Sequence, residues 1–172
     1  MGDISGDGIA DLVVAAGFGG APRVAAFDGT SLAGAEKRKL FGDFLAFEEG
    51  LRNGIFVAAG DLDGDGRTEL IAGGGPGGGP RVSSFAGTSL VIGGTPQRAV
   101  DFFAGDSTNR GGIRVAVKDL DGDAKADLLT GSGTGAGSRL TAFTGKTLAA
   151  SAPPEAFGFD AIAGFSGGVF VG

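Results

Sequence analysis

One pattern constrains this chain more than any other. It occurs three times, as Asp3-Ile-Ser-Gly-Asp-Gly8, Asp61-Leu-Asp-Gly-Asp-Gly66 and Asp119-Leu-Asp-Gly-Asp-Ala124, and consecutive copies start 58 residues apart with no gap. The same register aligns Leu12, Leu70 and Leu128, then Arg23, Arg81 and Arg139, then Phe27, Phe85 and Phe143, and then Leu32, Leu90 and Leu148. Self-similarity at a fixed period of this length is the mark of one supersecondary unit stacked on copies of itself. The units run over about 1–53, 54–111 and 112–167, the first without its opening strand. Residues 168–172 begin a further unit, because Gly168-Val-Phe-Val171 repeats Gly54-Ile-Phe-Val57 and Gly112-Ile-Arg-Val115.

Each unit divides into four short apolar segments separated by turns. In the second they are Gly54–Ala59, Glu69–Ala72, Arg81–Phe85 and Arg98–Phe103, with turn signals such as Asp65-Gly66, Pro76-Gly77 and Gly87-Thr88 between them. These are strand lengths, and Val, Ile and Phe suit strands. Neither face of Ile55–Ala58 or Ile113–Ala116 is strongly polar, as expected for sheets covered on both sides by neighbours. A four-stranded unit at this period is a β-propeller blade. The expected fold is therefore all-β, three four-stranded blades forming a partial or permuted propeller segment, with almost no helix. The 14 Phe residues are expected to supply the core, each buried ring contributing roughly 1.5–3 kcal/mol. Small residues such as Ala25, Ala26, Ser83 and Ser84 leave room where sheets converge.

Composition narrows the chemistry. The chain has no Cys, His, Trp or Tyr, which removes disulfides, thiolate and imidazole metal sites, catalytic triads and aromatic sugar platforms other than Phe. Its net charge of −6 argues against a nonspecific grip on nucleic acid. No apolar run is long enough for a membrane-spanning helix, so direct membrane insertion is not expected. What remains is oxygen chemistry.

That chemistry is concentrated in the repeated loops, which hold eleven of the 20 Asp and Glu residues. In the first loop Asp3, Ser5 and Asp7 alternate, Gly8 follows, Ile9 offers a backbone carbonyl, and Asp11 closes the set at position nine. The second supplies Asp61, Asp63, Asp65, the Arg67 carbonyl and Glu69; the third supplies Asp119, Asp121, Asp123, the Lys125 carbonyl and Asp127. Alternating carboxylates on a tight turn can converge on one point while the intervening side chains face away. Calcium takes six to eight oxygens at about 2.3–2.6 Å, whereas magnesium demands stricter octahedral geometry. Without a cation the carboxylates repel one another, and three calcium ions would cancel the formal charge. An EF-hand would need Glu at position twelve, where Val14, Ala72 and Thr130 stand.

Gly17-Phe-Gly-Gly-Ala-Pro22 beside an Asp loop resembles the FG-GAP repeats of integrin alpha-chain propellers and the related VCBS-type repeats of bacterial surface proteins. The resemblance implies a propeller whose Asp loop joins the first two strands of each blade and binds calcium, here up to three ions. It implies an extracellular or cell-surface setting. The chain departs from the pattern at Ser5, Glu69 and Ala124, and Phe-Gly becomes Pro76-Gly77 and Thr134-Gly135.

Gly73-Gly-Gly-Pro-Gly-Gly78 fits a dinucleotide-binding spacing but leads into Arg81–Phe85, a strand and not a helix. Arg23, Arg81 and Arg139 could line a binding face or pair with a neighbouring Asp loop, and the structural reading is preferred because duplicated units repeat such residues in any case. Carboxylates outside the loops, including Asp43, Glu48, Glu49, Asp101, Asp106 and Asp160, form no recognisable catalytic pair. The expectation is a non-catalytic, calcium-binding scaffold of an extracellular or cell-surface protein that mediates adhesion or protein interaction through a protein or glycan ligand, the alternative a propeller portion of a larger secreted enzyme or a glycan-binding module. Three blades fall short of a closed ring, so further blades or a second copy are needed to complete it.

Overall fold

The computed structural model describes residues 2–91, 93–148 and 152–172. Its described strands are β1 Leu12–Ala15, β2 Arg23–Phe27, β3 Phe44–Leu45, β4 Ile55–Gly60, β5 Glu69–Gly74, β6 Arg81–Phe85, β7 Arg98–Phe103, β8 Ile113–Lys118, β9 Asp127–Ser132, β10 Arg139–Phe143 and β11 Phe157–Asp160. They form three antiparallel sheets, ordered β1-β2-β3, β4-β5-β6-β7 and β8-β9-β10-β11. Helical structure among the described residues is confined to one four-residue turn, α1 Gly145–Leu148, and two 3-10 turns at Gly29–Ser31 and Gly87–Ser89. The chain is all-β, as the short apolar segments predict.

The first sheet has three strands where the others have four. Gly2 forms an isolated antiparallel bridge with Asp11, in register with Gly60, the last residue of β4, which faces Glu69 on β5. At the other end the Val169 N–H donates to the Ser132 carbonyl at 2.9 Å, as the Ile55 N–H donates to the Ala16 carbonyl at 3.1 Å. Residues 168–172 thus lie along the third sheet as the start of β4 lies along the first.

Apolar residues from facing sheets close two cores. Val24, Leu40, Phe41 and Phe47 of the first unit pack with Ile55, Leu70 and Phe85 of the second. Ile71, Val82 and Phe102 of the second pack with Ile113, Leu128 and Phe143 of the third. β4 is consumed from both sides, Ile55 facing backward and Ala58 forward, which is why neither of its faces could be polar. An aromatic edge contact recurs at each seam: Phe44 to Phe85 at 4.7 Å and Phe102 to Phe143 at 5.2 Å between ring centroids.

The expectation that Phe is core holds for Phe41, Phe47, Phe85, Phe102 and Phe143, but Phe18, Phe103, Phe157, Phe159, Phe165 and Phe170 are exposed. All of these but Phe103 belong to the first unit or follow β10, on the outer sides of the two end sheets among the described residues. Two of the three aligned arginines pair with acids that lie outside the Asp loops. Arg81 grips Asp101 with two nitrogens at 2.6 and 2.7 Å and reaches Glu48 at 2.7 Å, tying the first unit to the second. Arg139 meets Glu155 at 2.9 Å, and Arg23 is exposed.

Candidate metal centre

Two of the Asp loops join a strand to its hairpin partner, residues 61–68 between β4 and β5 and residues 119–126 between β8 and β9, and residues 3–10 lead into β1. The turn needs left-handed backbone at positions four and six. Gly6, Gly64 and Gly122 have φ of 78°, 78° and 79° at position four, and at position six Gly8 and Gly66 have 84° and 82° while Ala124 adopts 67°. Ala124 is the one non-glycine residue with positive φ among the described residues, so this turn is imposed there against the preference of an L-residue.

The side chains divide into three roles. At position one, both oxygens accept backbone N–H groups across the turn: Asp61 takes Gly64 at 2.7 Å and Gly66 at 2.9 Å, Asp119 takes Gly122 at 2.7 Å and Ala124 at 3.0 Å, and Asp3 takes Gly6 at 2.7 Å and Gly8 at 2.8 Å. At position five, Asp7, Asp65 and Asp123 each accept the N–H two residues on, from Ile9, Arg67 and Lys125. At position nine the carboxylate is buried. Asp11 accepts Ile4, Ser5 and Gly29 N–H groups, Glu69 accepts Leu62 and Gly87, and Asp127 accepts Leu120 and Gly145.

Position nine therefore binds the loop to the turn that follows the next strand, a link that was not anticipated from the sequence. The aligned Gly29, Gly87 and Gly145 are its other half. A Cβ on Gly87 would come 2.8 Å from Glu69 Oε1, and one on Gly145 2.3 Å from the Leu62 carbonyl oxygen. Their shared register was the signal that could have exposed it.

Positions one, three and nine converge. Asp61, Asp63 and Glu69 each place an oxygen within 4.8 Å of the others, as do Asp119, Asp121 and Asp127. Two ligands on opposite sides of one calcium ion are at most about 5 Å apart, so this spread suits a single ion. A carboxylate oxygen that accepts one N–H retains a further acceptor site, leaving these groups able to ligate. The donors are hard oxygens throughout, the set that calcium prefers. Asp65 and Asp123 stand outside these three-carboxylate groups. In the first loop Ser5 takes position three, its hydroxyl a long 3.5 Å from Asp3 Oδ1, leaving Asp3 and Asp11 as the corresponding carboxylates.

Cations already approach two loops. Lys146 Nζ lies 2.6 Å from Asp123 Oδ2 and 3.8 Å from Asp121 Oδ2, and its hydrogen bond holds the Asp123 carboxyl below the usual range. Lys125 donates to the backbone carbonyl of Asp63, bracing the second loop from the third. Burial pushes the Glu69 carboxyl up, and the charges of Asp63 and Asp61 add to that shift.

Against family models, residues 3–72 match the FG-GAP-like repeat and residues 53–92 match the FG-GAP repeat. No curated protein matches the chain.

Proposed function

The chain carries FG-GAP-like repeats, and on that premise we propose that it is a calcium-binding β-propeller scaffold of an extracellular or cell-surface protein, non-catalytic, that presents loops to a protein ligand. The observation that carries the reading is the convergence of Asp61, Asp63 and Glu69, repeated by Asp119, Asp121 and Asp127. A divalent ion there would offset the mutual repulsion of three carboxylates, one of them buried. Sites even of the 10⁻⁴–10⁻³ M class, roughly, fill in extracellular calcium, which fits a surface setting. Among the described residues no helix is long and apolar enough to cross a membrane.

Calorimetric titration with calcium, paired with melting curves in calcium and in chelator, tests this. Binding with a higher melting temperature in calcium is expected. No heat and no shift would remove the metal from the reading, and turnover of a glycan or ester substrate by the purified chain would remove the non-catalytic part.

A second reading, a glycan-binding module, is favoured by two clefts in register at the seams. One, of about 330 Å³, is bordered by Ile55, Gly77 and Arg81; the other, of about 270 Å³, by the aligned Ile113, Gly135 and Arg139. A glycan array separates the two readings.

A further inference from the structure

The two seam clefts are built on one backbone frame but lined differently. Pro22, Ile55 and Arg81 of the first stand in register with Pro80, Ile113 and Arg139 of the second. Phe47 and Leu51 of the first, however, have Gly105 and Asn109 at the aligned positions of the second. Phe103 lies opposite Arg81 where Asp160 lies opposite Arg139. Arg110, whose carbonyl accepts the Gly77 N–H, is replaced by Ser166, whose carbonyl accepts the Gly135 N–H. The first cleft therefore has apolar walls and an added arginine, whereas Asp106 and Glu155 line the second. Duplication of the unit accounts for the shared frame and not for these differences.

Of the two guanidinium groups in the first cleft, that of Arg81 is taken up by Asp101 and Glu48. Arg110 forms no ion pair among the described residues. Its Nη1 donates to the Ser107 carbonyl at 2.6 Å and the Asn109 carbonyl at 3.4 Å, and its Nε and Nη2 have no acceptor among those residues. These two nitrogens form one edge of the planar fork, which matches both oxygens of a carboxylate. A Cβ on Gly79 would lie 3.0 Å from Phe103 Cε1 and 3.6 Å from Arg110 Nη1, so the guanidinium and the exposed Phe103 ring sit side by side. The space beside them stays open because residue 79 has no side chain. β4 separates the cleft from the acidic loops: Ile55, its first residue, lines the cleft, and the Asp61 loop follows Gly60, its last. Five strand steps put roughly 16 Å between them, beyond the Debye length of about 8 Å at physiological salt, so an acidic ligand escapes most of the repulsion of those carboxylates.

We propose that the first cleft binds an acidic side chain of the protein ligand, its carboxylate on the Nε–Nη2 edge of Arg110 and an adjoining apolar residue against Phe103 and Leu51. At about 330 Å³ the cleft is at the low end of ligand pockets, which suits one or two side chains better than an oligosaccharide. The inference rests on the protein-ligand reading and not on calcium.

Nitrogen-15 NMR titration of the full chain, in calcium and in chelator, with a capped tripeptide of glutamate between two leucines tests it, glutamine replacing glutamate in the neutral counterpart. Saturating shifts at the amides of Asn53, Gly77, Gly79 and Arg110 are expected in both media, with the glutamine peptide about tenfold weaker or more. Arg110→Gln changes an exposed side chain and should cost the glutamate peptide a similar factor, while Arg110→Lys, which keeps the charge without the fork, falls between. Gly79→Val should block the cleft. No shift with the glutamate peptide, shifts confined to the Asp loops, equal affinity for the glutamine peptide, or binding untouched by both Arg110→Gln and Gly79→Val would each overturn the proposal. Peptide shifts that saturate elsewhere on the chain would sink this inference and leave the protein-ligand reading standing. A tetragalacturonate that moves the cleft amides where the peptide moves none would sink both, because the carboxylate then comes from a glycan.

Discussion

The Lys146 ammonium stands 2.6 Å from Asp123 Oδ2 at the edge of the third Asp loop, while the residues in register, Thr30 and Thr88, carry no charge. The third loop thus holds a built-in cation next to the position proposed for calcium. Lys146 repels an incoming divalent ion and already satisfies part of the carboxylate charge that would attract it. Lys146→Thr is expected to tighten calcium at the third loop about three- to tenfold, with the gain shrinking as salt rises, because the ammonium is exposed and screened. Titrations of parent and variant at low and high ionic strength measure it. Unchanged affinity at both would mean that Lys146 does not compete.

Ala124 is the departure from the loop pattern with the clearest conformational cost. Its φ of 67° is a left-handed conformation, about 1–2 kcal/mol unfavourable for an L-residue and free of that penalty in glycine. At the aligned Gly66 an added Cβ would meet nothing within 4 Å, so the cost is in the backbone and not in a clash. Ala124→Gly should therefore raise stability by about 1 kcal/mol after the entropy lost by a freer unfolded chain. Equilibrium urea unfolding reports it, and a destabilised variant would show that the strain is absent.

How much of this was legible follows from what repeats. The strands of the middle sheet were readable from Ile55, Leu70, Val82 and Phe102 because each sits in a segment bounded by turn chemistry, and the period placed their copies. The position of the Asp loops between strands was readable for the same reason. Two things were not. The exposure of Phe159, against burial of Phe102, depends on whether another sheet lies beyond, which the residue type does not encode. The distinct role of Asp65, whose Oδ1 accepts the Arg67 N–H at 2.8 Å, depends on which way a carboxylate turns, and alternation alone treated it as equal to Asp61 and Asp63.

That difference makes a direct comparison possible within the second loop. Asp61 joins the three-carboxylate group and also holds Gly64 and Gly66, whereas Asp65 holds one N–H and stands outside the group. Asp61→Ala should weaken calcium binding about tenfold more than Asp65→Ala, roughly 1.4 kcal/mol, and should lower the melting temperature even in chelator, since two backbone donors lose their partner. Calorimetry and melting curves on both variants give the ranking. An equal loss of affinity would place Asp65 in direct contact with the ion and identify the four carboxylates of the loop as equivalent ligands.

The buried Glu69 gives the second loop a pH dependence of known sign. Burial, with the charges of Asp63 and Asp61, raises its folded carboxyl above the ordinary Glu value, near 4.3 in an unfolded chain. A raised carboxyl destabilises the metal-free fold at neutral pH, and that cost is relieved as pH falls through the folded value toward the unfolded one, because the folded state then binds the extra proton. Calcium requires the ionised form, so the same protonation opposes binding. Over the interval just above the usual Glu range, acidification should weaken calcium at the second loop while the penalty from Glu69 in chelator declines. Calcium titrations of Asp121→Asn, which removes one of the third loop's converging carboxylates while keeping Asp119 and Lys125, separate the effect from the third loop. An affinity flat down to the ordinary Glu value would mean that Glu69 is not a ligand, and that its burial serves only to hold the Leu62 and Gly87 N–H groups.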